Sequence, residues 1–339
     1  MARARDFIPA LKYGHKIYPE DLVDGGGLPL SNGNVLFVDG DASGDGSGST
    51  WADAFNDIQS AVTAASAGDV IYIAERTVGV TGTDPVSYAE TIIIPNTKPH
   101  LSLIGVSRGL TQGGLPQIKI GAGSTAMITV RAPGCLIANL GINGASSTGG
   151  GIKLEDNGTT YVAFGTTIAN CHFKNCVSSG HASTGGAVYS TGSPWQIRIS
   201  RCRFYKNIGG IVMVNTSYSV PQDWIIEDCE FGSSVATDVD ADIVALADGI
   251  LGLIIRRCDF STVDVPSHGS GDYGKYIQLG AGNFGMISDC NFACLVNPTA
   301  TEVTFGAAGT AAIIPTTVRI ANCWGETSST TERGWVNRV

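Results

Sequence analysis

Between residues 168 and 292 the chain repeats one pattern: an isoleucine, a cysteine three residues on, and a phenylalanine two further. It occurs at Ile168/Cys171/Phe173, Ile199/Cys202/Phe204, Ile226/Cys229/Phe231, Ile255/Cys258/Phe260 and Ile287/Cys290/Phe292. A later copy, Ile320/Cys323, loses the aromatic register at Trp324. An earlier one, Ile137/Leu140/Ile142, carries Leu in place of Cys. From 140 through 171, 202, 229, 258, 290 and 323 the steps are 31, 31, 27, 29, 32 and 33 residues. A period that wanders in this way excludes a coiled coil and fits a solenoid with fixed strands and variable loops.

The phase of the pattern says how each coil bends. Apolar residues stand five and three before each cysteine, then at the cysteine and two after it, so the alternation slips by one just before the cysteine. Successive strand side chains point to opposite faces, so keeping both halves inward requires a corner there. The residues at that position are Asn139, Asn170, Arg201, Asp228, Arg257, Asp289 and Asn322, all polar. Asn and Asp tolerate the left-handed backbone such a corner needs, and Arg does so less readily. A further strand follows each motif after a loop, as at Gly150–Leu154, Gly186–Tyr189, Gly209–Met213 and Tyr276–Leu279. Three short strands per coil, in roughly eight coils about 4.8 Å apart, give a parallel β-helix about 38 Å tall. The class expected is all-β, consistent with 45 glycines and only 15% charged residues.

An open solenoid end exposes unpaired backbone, so a cap is expected. Trp51, Phe55, Ile58, Val62 and Ala65 recur at helical spacing. They predict a capping helix over 51–67, with Thr50 as N-cap, Asp53 in the first turn and Gly68 as its stop. Residues 1–33 fall outside the repeat. Their anchors, Phe7, Leu11, Tyr13, Ile17 and Tyr18, precede the hinge Gly25–Gly27. They read as an extended arm that docks on a partner, or as a strand along the solenoid's own flank. The domain expected is 34–339.

Val38–Asp41, Ser49–Phe55, Ile58–Val62, Ala67–Ile73, Tyr88–Ile92, Leu103–Val106 and the later cysteine motifs resemble the pectate-lyase-like right-handed parallel β-helix proteins over about 34–327. That resemblance implies the fold. The superfamily holds lyases, hydrolases, epimerases, phage tailspikes and inert virion parts, so it does not select an activity. Short arms of this kind resemble those preceding the β-helix of phage structural proteins.

The cysteines at the repeat position are expected as a buried, reduced core column. One-coil spacing does not bring four ligands together for zinc, and inter-coil disulfides would bend the ladder. Arg201, Asp228, Arg257 and Asp289 alternate in sign on successive coils and predict an exposed ion-pair ladder, repeated at Arg203 and Glu230. The loop 261–275 holds Asp264, His268 and Asp272, the weak candidates for a catalytic carboxylate pair and its partner. Its Ser-His-Gly only partly echoes polygalacturonase-like hydrolases, whose other motifs are absent; a solvated loop is the simpler reading. Asp39, Asp41 and Asp45 resemble a calcium loop without EF-hand spacing, and a turn into the cap is the simpler reading. No metal or other cofactor is expected.

Lys153, Val188, Val212, Val244, Gln278 and Ile313 are read as outward residues of the strand after each motif. They are too apolar for a solvated face and predict cover by loops or by a second copy. A net charge of −9 without a basic cluster argues against nucleic acid. No apolar run is long enough for a membrane span, and Met1–Gly14 lacks the pattern of a secretory leader. The expected function is a phage virion structural protein, a capsid decoration, fibre or tailspike-type part assembled in the host cytoplasm. It would be a homotrimer, attached to capsid or tail proteins through residues 1–33. The alternative is a polysaccharide lyase or glycoside hydrolase acting on acidic or host-surface glycans. A bacterial surface adhesin is disfavoured by the absent export pattern.

Overall fold

Stacking the repeat puts like on like. The computed structural model describes residues 33–76, 86–106, 114–120, 126–144, 150–176, 186–213, 221–232, 241–245, 250–261, 275–280, 282–298, 303–305, 313–326 and 333–338. In it Ile71, Leu103, Ile137, Ile168, Ile199, Ile226, Ile255, Ile287 and Ile320 stand in one parallel register column. The chain therefore makes eight turns between Ile71 and Ile320, as the repeat predicts.

Each turn has a leading strand such as Arg198–Ser200, a following strand such as Arg203–Tyr205, and a back strand such as Gly209–Val212. The back strands form a separate seven-stranded sheet. Leading and following strands meet at the predicted corner. Asn139, Asn170, Arg201, Asp228, Arg257, Asp289 and Asn322 all adopt φ between 51° and 57°. The ladder continues through it, because the corner N–H groups from Asn139 to Asp289 reach the next coil, as from Asn170 to the Ser200 carbonyl at 3.1 Å and from Arg201 to that of Glu227 at 3.1 Å.

A second left-handed position, six residues before the cysteine position, escaped the sequence reading. It holds His100, Gly134, Gly165, Gln196, Asp223 and Gly252, with φ from 54° to 77°.

Inside, the cysteine column is buried and unpaired at Cys171, Cys202, Cys229, Cys258, Cys290 and Cys323. Each Sγ lies 3.2–3.6 Å from the carbonyl two residues before it. The thiol is a weak donor that supplies a second contact to the carbonyl already receiving a corner N–H. Cys135 and Cys176 are buried outside this column, and burial pushes their thiols up to about 12. Beside the column, Phe173, Phe204, Phe231, Phe260 and Phe292 stack at centroid distances of 4.9, 4.7, 4.9 and 4.8 Å. Such pairs contribute roughly 0.5–1.5 kcal/mol beyond area burial.

The N-terminal cap is shorter than predicted. Helix α1 spans only Ile58–Ala64, with Asp57 as N-cap accepting from the Ser60 N–H at 2.7 Å. Phe55 is held instead by a bridge to Val38. Thr50 and Asp53 form their own turn, and Trp51 packs on Phe37 at 4.7 Å with the rings tilted by 54°. At the other end, antiparallel Arg333–Arg338 covers the last leading strand, a closure the sequence reading did not foresee.

The back sheet corrects one assignment. Val188 is in register with Ile152 and Ile211 and faces inward, whereas Tyr189 shares the outward column with Lys153, Val212, Val244 and Gln278. Tyr189, Val212 and Val244 are buried within a single chain, so cover by a second copy is not needed there. Gly150 and Gly186 leave room for the Tyr189 and Val212 side chains.

Candidate functional site

Asp264, His268 and Asp272 lie outside the described residues, as do the arm's residues 1–32. Ser261, at the start of the candidate loop, donates to the Phe231 carbonyl at 3.2 Å. Asp39 and Asp45 accept from the Asp41 and Ser47 N–H groups, and Asp41 pairs with Arg76 at 3.3 Å. Among the described residues no three His, Cys, Asp or Glu side chains group to hold a metal.

The predicted charge ladder is present in part on the outer face at the corner, with Arg257–Asp228 paired as ions and Arg201 and Asp289 meeting asparagines. Arg257 forks Asp228 through Nε–Oδ1 at 2.7 Å and Nη2–Oδ2 at 2.8 Å. Arg203 meets Glu230 at 2.7 Å, Arg201 donates to Asn170 at 3.1 Å, and Asn322 donates to Asp289 at 3.4 Å.

The sequence reading missed the centre of this face. Glu227 stands two residues before its cysteine, in register with Ser200 and Arg256, and is 1% exposed. Arg198, one coil earlier, reaches Oε1, with Nε at 2.7 Å. Arg256, one coil later, reaches Oε2, with Nε at 2.8 Å, and Arg257 adds Nη2 at 3.1 Å. The Arg198, Arg256 and Arg257 side chains are 47, 37 and 47% exposed. Burial alone would raise the Glu227 carboxyl, but hydrogen bonds and charge from Arg256 and Arg198 outweigh it and hold the group below its ordinary value. The Arg257 fork does the same for Asp228. Both carboxylates are therefore committed as anions, which suits neither to act as a general acid. Three guanidiniums meet two carboxylates, leaving excess positive charge on a chain whose net charge is −9.

An apolar column runs along the other edge of the leading strands. Trp195, Gln222, Leu251 and Phe284 are in register, and Phe164 packs on Trp195 at 5.0 Å. Trp195, Leu251 and Phe284 are 42, 45 and 59% exposed. Half-buried Ile225, Ile254 and Met286 continue the register column of Arg198 and lie between the apolar column and Arg256. On the following strand, burial lowers the His172 pKa to about 4, with the Arg203 and Lys174 charges adding to it. Its Nδ1 is a buried atom with no hydrogen-bond partner.

No protein-family model and no curated protein matches the sequence. Solved structures do. The chain is similar to Escherichia coli YbhC at 12% identity and a TM-score of 0.50, covering 96% of this chain and 94% of that one. A pectate lyase from Bacillus sp. N165, solved with trigalacturonate, gives 14%, 0.48, and coverage of 94% and 92%. The pectin methylesterase from Aspergillus niger gives 15%, 0.47, and coverage of 92% and 91%. At such identities the likeness shows architecture alone. The chain has a right-handed parallel β-helix fold.

Proposed function

We propose that the chain binds an acidic polysaccharide across the outer face of its leading strands. The observation that carries this reading is the convergence of Arg198, Arg256 and Arg257 on Glu227, exposed and in positive excess, on an acidic chain. Guanidinium forks match carboxylates, and the neighbouring apolar column supplies flat surface for sugar rings.

The reading covers recognition. The loop carrying Asp264, His268 and Asp272 lies outside the described residues. The virion reading, with its trimer and its attachment through residues 1–33, rests on the arm, also outside the described residues. Its other support, the covered back sheet, is accounted for within one chain.

The test is calorimetric binding of polygalacturonate and alginate by wild type, by Arg198→Gln/Arg256→Gln, and by Glu227→Gln. The double variant should bind at least about tenfold more weakly, the loss of one or two charged contacts. Glu227→Gln should bind as well or better while melting lower, because it removes the competing anion. Absence of wild-type binding, or equal binding by a folded double variant, contradicts the proposal. Release of unsaturated uronate during these titrations would add a lyase step to it.

A further inference from the structure

At the C-terminal end of the solenoid the charge ladder gives way to aromatic rings. Asn291 is in register with Trp324, and Trp324 with Trp335, so three successive rungs share one column. The indoles meet edge to face, with centroids 5.1 Å apart at 73°. Trp335 is 65% exposed, the most exposed large apolar side chain among the described residues. Together with Asp289, Cys290 and Asn322 these residues line an open cleft of about 600 Å³, within the range of small-ligand sites. Its rim is polar. Asn291 Nδ2 donates to Asp259 Oδ1 at 2.8 Å, and Asn322 Nδ2 approaches Asp289 Oδ1 at 3.4 Å.

This chemistry differs from that around Glu227. Among the described residues no basic side chain lines the cleft, and Asp289 brings negative charge, which disfavours a uronate carboxylate and tolerates hydroxyls. Two indoles set at an angle offer a flat face and an edge, which suits the C–H face of a pyranose. Carboxylate and amide groups at the rim suit its hydroxyls. We infer that the cleft formed by Trp324, Trp335, Asp289, Asn291 and Asn322 is a binding site for a neutral pyranose. Arg257, Asp289 and Asn322 occupy successive rungs of one corner column, so this cleft and the arginine face lie along the same outer edge. A single glycan of mixed acidic and neutral sugars could then occupy both, an extension that rests on the reading of the arginine face. The cleft itself does not rest on it.

The experiment separates the two. Neutral hexasaccharides of the cello, xylo and β-1,4-galacto series are titrated at up to millimolar concentration, followed by tryptophan fluorescence and calorimetry. Wild type, Trp335→Ala, Asn291→Ala and Arg198→Gln/Arg256→Gln are compared. At least one neutral series should bind wild type and the arginine variant alike, and bind Trp335→Ala about tenfold more weakly, the loss of one stacking contact. Asn291→Ala, which keeps both indoles, should weaken binding without abolishing it. Exposure of Trp335 means that its replacement should leave the melting temperature in place. The inference is overturned if no neutral series binds, if Trp335→Ala binds unchanged, or if wild type self-associates through a surface that Trp335→Ala removes.

Discussion

Arg201 and Arg257 hold φ of 52° and 51°, a backbone region that costs an ordinary L-residue roughly 1–2 kcal/mol and costs Asn less. Five of the seven corner positions carry Asn or Asp, and the two arginines are the exceptions. Replacing Arg201 by Asn gives up an exposed contact to Asn170, of small worth, and relieves the strain. Thermal unfolding should show Arg201→Asn more stable by up to about 1 kcal/mol, and the β-branched Asn139→Val less stable by about 1–2 kcal/mol. Equal melting of both variants would mean that the corner does not discriminate. This corner was legible because inward residues flank it on both sides, and a slip in their alternation has no other cause. The earlier corner at Gly165, Gln196 and Asp223 was not legible. On the coils of Trp195 and Leu251 the residue before it is outward yet apolar, so the pattern there mimics unbroken inward alternation. Glu227 was hidden for a similar reason. The position holds Ala169, Ser200, Glu227, Arg256 and Ser288 on successive coils, and only three-dimensional stacking shows which arginines surround it.

Among elements, α1 depends most on residues distant in sequence. Its Ile58 and Gln59 N–H groups donate to the two oxygens of Glu90 at 2.9 Å each, and Lys98 Nζ donates to the Thr63 and Ala65 carbonyls at 2.7 and 2.5 Å. Each side chain satisfies the end of the helix that its charge favours. Apolar spacing located the helix but overestimated its length, since Phe55 fits the same spacing while serving the bridge to Val38. The clamp by Glu90 and Lys98 leaves no local signal, because both lie more than thirty residues away. Glu90→Ala removes two charge-assisted hydrogen bonds and should cost about 1–3 kcal/mol. Amide exchange should speed up across Ile58–Ala64 and stay slow in the central coils. Uniform exchange in wild type and variant would show that the cap is held by its apolar face alone.

For the whole molecule, the repeat determined class, coil number and the two inner ladders, because stacked coils must place like residues in register. The proposed glycan face lies on the outer columns, where neighbours come from different coils and no period announces them. Exposed apolar Trp195, Leu251 and Phe284 run beside an arginine cluster on a chain of net charge −9, so the molecule presents one face unlike the rest of its charge. The central claim is that an acidic glycan lies on that face. Arginine modification by phenylglyoxal, mapped by mass spectrometry with and without saturating polygalacturonate, tests it residue by residue. Arg198 and Arg256 should be protected by the glycan, while Arg131, paired with Glu155 on the back sheet, should react equally in both samples. Unchanged labelling of Arg198 and Arg256 under conditions where the glycan is bound, or protection confined to Arg131, would contradict the account.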